Sequence, residues 1–478
     1  MNNTKPNIIK TDICVIGAGS GGLSVAAGAS QMGAKVVLIE KGAMGGDCLN
    51  TGCVPSKAIL AAGHTAQTMR DASAFGVQAV IPEIDWEKVH DHIHEVIAAI
   101  APSDSVERFE GLGVNVIQAS ARFIDNNTIL AGDVQVQAKY FVIATGSSAF
   151  IPPIEGINDV PYYTNENIFN KKEKVEHLIV IGGGPIGIEL AQAHRRLGAE
   201  VTVVEVAQLL AKDDPELTAI VIQHLRGEGL VLHEKVSALK VSKAEKGIDV
   251  AYEVDGEQQR INGSHLLVAT GRQANVSGLN LEAANINYSP RGIEVDARLR
   301  SSNKRIFAIG DVAGPYQFTH MAAYQAGIII RNILFKMPAK VDYSAVPWVT
   351  YTDPELAHVG LSEADAQAQG KKVRILKWSF AENDRAQAER RTEGLVKVVV
   401  SPKGLILGAS IVGLHAGELL QPWILAITQK MKIGAMASII APYPTLAEVN
   451  KRIAGSFYTE KLFSAGTKKL VRFLIRWF

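Results

Sequence analysis

Cysteine is scarce. Three occur in 478 residues, too few for the disulfide framework of a small secreted protein or for a Cys-rich structural zinc site. A disulfide in this chain is therefore expected to be catalytic. Net charge is lacking too: 49 Lys and Arg against 48 Asp and Glu leave +1, without the cationic field by which nucleic acid is bound. No apolar run approaches the ~18 residues of a membrane-spanning helix. The opening MNNTKPNIIK lacks the apolar core of a signal peptide. A cytoplasmic protein with no nucleic-acid partner is expected.

With 47% apolar and 20% charged residues, the composition is that of a soluble globular protein. A single hydrophobic core stops growing near ~250–300 residues, so 478 residues imply several domains, and three are expected.

Asp12 to Gly17 reads as a short buried strand. Gly17-Ala-Gly19-Ser-Gly21-Gly22 follows at once and opens an alanine-rich helix, and Lys35 to Ile39 forms a second strand ending on Glu40. Strand, glycine turn, helix, strand and acid, with the acid 18 residues after Gly22, is the dinucleotide-binding fingerprint. Gly17, Gly19 and Gly22 let the backbone approach a pyrophosphate whose charge is met by helix N-terminal amides, and Glu40 can accept from ribose hydroxyls.

The pattern recurs. His177 to Ile181 is apolar, Gly182-Gly-Gly184-Pro-Ile-Gly187 turns, a helix follows, and Val201 to Val204 leads to Glu205. Both copies end alike, on Ala144-Thr145-Gly146 and on Ala269-Thr270-Gly271, an internal repeat with two dinucleotide sites. Thr145 and Gly146 are expected at the first site, Gly271 at the second. Pro152, Pro153 and Gly156 suggest a crossing between domains, and Arg305 to Asp311 looks like a strand whose carboxylate closes a ligand site. From Tyr343 onward come strands such as Gly394 to Val400 and Leu405 to Val412, then helices from Gly417 to Ala437.

The expected fold is α/β, with two Rossmann-like dinucleotide-binding domains and a C-terminal α+β domain without a nucleotide fingerprint. The first domain is interrupted by the second: 1–150 with 275–342, then 151–274, then 343–460, and a basic amphipathic tail at 461–478.

Chemistry concentrates in Gly45-Gly46-Asp47-Cys48-Leu49-Asn50-Thr51-Gly52-Cys53-Val54-Pro55-Ser56-Lys57. Two cysteines five apart on a regular helix would be ~7.5 Å apart along the axis alone, beyond easy disulfide reach. The turn must be distorted if they bond, as Gly52 and Pro55 allow. Lys57, four residues after Cys53, shares its helical face and can stabilise a thiolate or a reduced flavin. The alternative is two buried structural thiols, the role expected of Cys14 inside the first strand.

Over residues 10 to 458 the sequence resembles the flavoprotein disulfide reductases, most specifically in GGDCLNTGCVPSK, and in order through both fingerprints, RIFAIGD and YTDPELAHVG (Tyr351 to Gly360). The resemblance implies FAD on the first fingerprint, with Glu40 near the adenosine ribose, Asp311 near the ribityl chain and Lys57 beside the isoalloxazine, paired with Glu189. It implies NAD(P)H on the second fingerprint, Cys53 facing the flavin, Cys48 exchanging with substrate, and a homodimer, which makes the C-terminal α+β domain a dimerisation domain. An acid closing the second strand favours a free ribose 2′-hydroxyl; Glu205-Val-Ala-Gln has no arginine, so NADH is expected over NADPH.

The family carries a His-Pro-Thr stretch and a following glutamate near the C-terminus, acting across the dimer as acid–base for the outer thiol. Here the stretch reads Ala441-Pro-Tyr443-Pro-Thr445-Leu-Ala-Glu448. A phenol with pKa ~10 is a poor base at neutral pH, so slow lipoamide or glutathione turnover is expected; the alternative for Tyr443 itself is that it merely packs at the interface. Mercuric reductase resembles this chain in placing a tyrosine there, but it also uses a C-terminal cysteine pair, and no cysteine follows Cys53.

In Lys461 to Phe478, Lys468, Lys469, Arg472 and Arg476 stand at helical spacing against Leu470, Phe473, Leu474 and Trp477. Such a helix can lie in an anionic membrane interface, making the protein peripheral at the membrane, or pack on its own dimer. His90, His92 and His94 are read as alternating surface residues, and no metal site is expected. Three functions follow. The first is an FAD-dependent NAD(P)H oxidoreductase passing electrons to a Cys48–Cys53 disulfide and on to a small-molecule or protein thiol/disulfide acceptor. The alternatives are a mercuric-type metal-ion reductase and a membrane-docked electron-transfer flavoprotein with low disulfide turnover.

Overall fold

The computed structural model describes residues 7–477. The first six residues of the MNNTKPNIIK opening, and Phe478 of the basic tail, lie outside the described residues. Two compact units are formed, one by the chain up to Val206 with Lys235–Val341, the other by Ala207–Glu234 with Asp342 onward.

In the first unit the strands Val114–Gln118, Val36–Glu40, Asn7–Ile16 and Val134–Ile143 lie side by side in that order, and Ile306–Ala308 runs parallel to the last of them. Ile13 to Ile16 pair in parallel with Val36 to Ile39 on one side and Tyr140 to Ile143 on the other. These strands are continuously apolar because both faces of a parallel sheet are covered. Side chains alternate across it: Cys14, Ile16, Val37, Ile39, Phe141 and Ile143 enter one cluster, and Ile13, Val15, Val36, Leu38 and Val142 the other. Cys14 is fully buried there, which pushes its thiol up.

The second repeat has the same plan, with His177–Ile181 between the parallel strands Glu200–Val204 and His265–Val268. The chain passes between the repeats through an antiparallel pair, Ser147–Ala149 with Arg272–Ala274. The RIFAIGD strand is shorter than its sequence suggests. The paired strand is Ile306–Ala308, and Gly310–Val312 is a tight 3-10 turn held by Gly310 N–H donating to Gln325 Oε1 at 2.7 Å.

The histidine reading is corrected. On the Trp86–Ile100 helix, His90 and His94 are one turn apart and share a face, their rings stacked at 4.0 Å. Positions four apart on a 3.6-residue helix are neighbours, and only His92 points elsewhere.

The second unit is built on an antiparallel sheet ordered Pro347–Thr350, Glu355–Gly360, Ile406–Gly413, Leu395–Val400, Arg374–Ser379. The helical stretch after Gly417 is three short helices, Ala416–Leu419, Gln421–Thr428 and Ile433–Ala437. Trp423 is fully buried among them and donates to Asn450 Oδ1 at 2.8 Å. The Pro215–Gly227 helix lies against this sheet. Buried Lys397 ties it there through Asp214 at 2.7 Å and Glu216 at 3.2 Å, and also meets Glu363 of the Glu363–Ala368 helix at 2.6 Å. The chain ends in two helices, Glu448–Leu462 and Ala465–Trp477. Among the described residues no helix is long and apolar enough to cross a membrane.

Candidate redox and nucleotide site

The two glycine loops are built by the same contacts. Gly17 N–H donates to Ile39 O at 2.8 Å and Gly182 N–H to Val204 O at 3.0 Å. Their φ angles, +102° and +115°, lie in the region glycine favours, and a Cβ on either would meet a backbone carbonyl at 2.4 Å. A Cβ on Gly22 would stand 1.9 Å from Gly17 O, and one on Gly187 2.0 Å from Gly182 O. No other residue fits these four positions. Gly19 caps the Ser20–Gln31 helix and Gly184 the Pro185–Arg196 helix.

The acids are placed alike as well. Glu40 Oε2 accepts from Ala18 N–H at 2.6 Å, and Glu205 Oε2 from Gly183 N–H at 2.6 Å. At Gly146, Gly184 and Gly271 a Cβ would meet nothing within 4 Å, so the backbone there is open to an approaching group. Thr145 is held by its hydroxyl donating to Asn275 O at 2.8 Å. Glycine-lined backbone, helix N-termini and an acid at the end of the second strand fit a dinucleotide in each repeat.

Between the cysteines the helix breaks. Gly46–Asn50 carries Cys48, Thr51 and Gly52 leave helical geometry, and a second helix, Cys53–Asp71, starts on the other cysteine. This is the distortion that a bond between Cys48 and Cys53 would require. Gly46 packs against Gly19, where an added Cβ would stand 2.7 Å away, so the redox turn sits directly on the first glycine loop.

Both cysteines are free thiols in this structure, Cys48 half-buried and Cys53 exposed. They are hydrogen-bonded to each other. That bond, followed by the contact with Thr319 Oγ1 at 3.3 Å and the nearby Lys57 ammonium, brings Cys53 down to about 6 against the opposing effect of burial. Cys48, as the donor, is pushed up. Lys57 Nζ pairs with Glu189 Oε2 at 2.7 Å, and Glu189 is buried on the Pro185–Arg196 helix of the second repeat.

Four residues at the site were given no role in the sequence reading: Arg272, Ser147, Asp47 and Thr319. Arg272, the residue after Ala269-Thr270-Gly271, donates through Nε to Ser147 Oγ at 2.7 Å and through Nη2 to Ser147 O at 2.9 Å. It pairs with Asp47 Oδ2 at 3.2 Å and lies 3.8 Å from Asp311. Ser147 Oγ donates to Asp311 Oδ2 at 2.5 Å, and burial raises the Asp311 carboxyl. Asp47 Oδ1 also accepts from Thr51 at 2.8 Å and Asn165 at 3.3 Å. One guanidinium thus joins the redox turn to the RIFAIGD carboxylate. The fourth residue is Thr319.

Tyr443 and Glu448 belong to the second unit. Tyr443 is 69% exposed, and its hydroxyl donates to Asp384 Oδ2 at 3.1 Å, which raises the phenol further. Glu448 heads its helix, 4.0 Å from Arg452. Among the described residues no group of three or more His, Cys, Asp or Glu could hold a metal ion.

Residues 11–326 match the family described as pyridine nucleotide-disulphide oxidoreductase, and 346–454 match its dimerisation domain. The chain belongs to the pyridine nucleotide-disulphide oxidoreductases. It is 36% identical to a dihydrolipoyl dehydrogenase of Geobacillus stearothermophilus over 92% of this chain and 95% of that protein. It is 35% identical to a mercuric reductase of Staphylococcus aureus over 93% and 82%. Among solved structures, the HOCl-induced flavoprotein disulfide reductase RclA of Escherichia coli, determined as a Cu(II) complex, superposes with TM-score 0.84 at 25% identity, covering 93% of this chain and 99% of RclA.

This disulphide oxidoreductase is accordingly an enzyme of the FAD- and nicotinamide-dependent kind, acting on a sulfur group. Its dimerisation domain supports a homodimer.

Proposed function

We propose that electrons taken from NADH reach the Cys48–Cys53 pair and leave through Cys48 to an acceptor disulfide, of a small molecule or a protein, other than the common small disulfides. Residues 1–150 with 275–342 hold FAD, 151–274 the nicotinamide nucleotide, and 343–460 form the dimer interface. Bound FAD supplies the two-electron relay between nicotinamide and disulfide. What carries the reading is the thiol pair on the first glycine loop, with Cys53 held as a thiolate beside the Lys57–Glu189 ion pair.

Two electrons and one proton convert the disulfide to a Cys53 thiolate and a Cys48 thiol. Once deprotonated, Cys48 attacks one sulfur of the acceptor disulfide and the other leaves as a thiolate; Cys53 then attacks Cys48 and expels the second half. Deprotonating Cys48 is the demanding step, because it is the thiol pushed up in the pair. Tyr443, its phenol raised by Asp384, is poorly suited to take that proton. Preference for NADH rests on Glu205 at the end of the second strand, an acid with no arginine in the residues that follow it, and a higher kcat/KM with NADPH would overturn it.

In an anaerobic titration, NADH should deliver electrons to the flavin and then an equal share to the cysteines, exposing Cys48 and Cys53 to alkylation. Uptake by the flavin alone, with neither cysteine becoming alkylatable, refutes the redox pair.

A second reading, a thiophilic metal ion as the acceptor, is favoured by Tyr443, since a thiolate-bound cation needs no general base. The mercuric reductases among the relatives and the Cu(II) complex of RclA point the same way. NADH oxidation driven by Cu(II) or thiolate-bound Hg(II), and lost in Cys48→Ala, is its test. Finally, residues 461–478 are assigned a peripheral membrane contact, holding part of the enzyme at the inner face of the membrane.

A further inference from the structure

The Ala465–Trp477 helix is a separate element with its own start. Ser464 Oγ accepts from Thr467 N–H at 3.2 Å, and Thr467 Oγ1 donates back to Lys461 O at 2.7 Å. None of its 13 residues is buried. A 3.6-residue period puts Leu470, Phe473, Leu474 and Trp477 on one stripe with Val471 and Ile475 on its flank, and Lys468, Lys469, Arg472 and Arg476 on the opposite side. Leu470 is 56% exposed, Ile475 77% and Trp477 67%. The helix contains no acidic residue.

An apolar stripe of this size left in water costs stability unless something covers it. The two sides of the helix state what the cover must offer. One side needs hydrocarbon, and the other, four cations without a single carboxylate on the helix, needs a dense anionic layer in the same plane. A folded protein partner would meet such a helix with a groove and a few matched carboxylates. A lipid leaflet offers acyl chains below and anionic headgroups on both flanks, which is the arrangement segregated here. Lys and Arg stems reach up from the buried side to the headgroups.

We propose that the Ala465–Trp477 helix lies in the plane of an anionic phospholipid leaflet, with Leu470, Phe473, Leu474 and Trp477 inserted among the acyl chains and the four cations in the headgroups. The proposal rests on the membrane contact assigned above and names its partner as anionic lipid. A homodimer carries two such helices, so binding is bivalent and each helix need be only moderately strong.

The test uses the full FAD-loaded protein in flotation with vesicles of phosphatidylcholine mixed with phosphatidylglycerol and with vesicles of phosphatidylcholine alone. The protein floats with the mixed vesicles, binds neutral ones at least tenfold more weakly, and is released as salt screens the cations. Arg472→Gln removes one cation from each of the two helices and weakens binding of the dimer roughly 25-fold, about fivefold per helix, and the Lys469→Gln, Arg472→Gln pair weakens it further by a similar factor. Trp477→Ser weakens binding to both vesicle types.

NADH-driven dye reduction in solution stays unchanged in all three variants, which shows they are folded. Equal flotation with and without residues 465–478, or with neutral and anionic vesicles, overturns the proposal. So does a tail deletion that halves the sedimenting mass without any vesicle binding by the full chain, since the helix would then pair with a second copy. Docking that persists while Cys48→Ala reduces all acceptors normally would refute the redox reading and leave the docking intact.

Discussion

Replacing Cys48 by alanine removes the hydrogen bond that is the largest influence on Cys53. A hydrogen bond to a charged acceptor contributes ~1.5–3 kcal/mol, and one pKa unit corresponds to ~1.4 kcal/mol. Cys53, at about 6 in the intact pair, should therefore rise by ~1–2 units, to roughly 7–8. The thiolate fraction at pH 7 falls from about nine-tenths to between a half and a tenth. Cys48→Ser keeps an O–H donor at the same place and should leave Cys53 within about half a unit of its starting value.

The assay is the pH dependence of iodoacetamide labelling of the reduced protein, followed by peptide mass. Cys14, fully buried with its thiol pushed up, contributes no background in the native state. Labelling at pH 7 should slow by roughly two- to tenfold in the alanine variant, and its midpoint should shift upward while that of the serine variant stays. Coincident midpoints for the two variants, or a serine variant titrating near the ordinary ~8.5, would falsify the claim that Cys48 sets the thiolate.

Three further outcomes can be checked. Tyr443→His restores an imidazole near neutral pKa, and dihydrolipoamide oxidation, followed as NAD+ reduction, should rise at least ~10²-fold, the low end for a general base; no gain would mean the pocket itself rejects that substrate. Arg272 makes a forked set of bonds to Ser147 and Asp47 that a lysine cannot reproduce. Arg272→Met and Arg272→Lys should both lose about 2 kcal/mol of stability, the scale of a hydrogen bond made by a charged group, and release FAD more readily by flavin fluorescence, and full rescue by lysine would refute the fork. His224, held by Glu228 and Glu393, has its pKa raised chiefly by the Glu228 bond. A raised imidazole stabilises the fold fully below its unfolded value of ~6.5 and loses that contribution as pH rises through the folded value, so the Tm deficit of His224→Gln should be widest in acid and close toward alkaline pH. A deficit that widens with pH would contradict the assignment.

The repeat was legible because everything that defines it is local. Gly17, Gly22 and Glu40 answer to atoms of their own strand–turn–helix unit, and Gly182, Gly187 and Glu205 do the same, so spacing along the chain carries the geometry. The break between Cys48 and Cys53 was legible for the same reason, since a helix rise and a bond length suffice to demand it of any pair that is to form a disulfide. The Arg272 cluster was not. Asp47, Ser147, Arg272 and Asp311 come from four segments separated by up to 264 positions, and each alone is an ordinary polar residue near a motif.

The same distinction explains the tether at Lys397. A buried lysine with three carboxylates looks like any strand lysine until the fold brings Asp214 and Glu216 to it. The error at His90 and His94 was of another kind, because the residues lie within one helix and the period of 3.6 already makes i and i+4 neighbours. Local rules thus locate the chemistry on this chain, while long-range ion pairs determine how firmly it is held. The Asp47–Arg272–Asp311 set makes that concrete. One cation serves a carboxylate next to the reactive thiol and another in the RIFAIGD turn, so a change at either acid should be felt at the other.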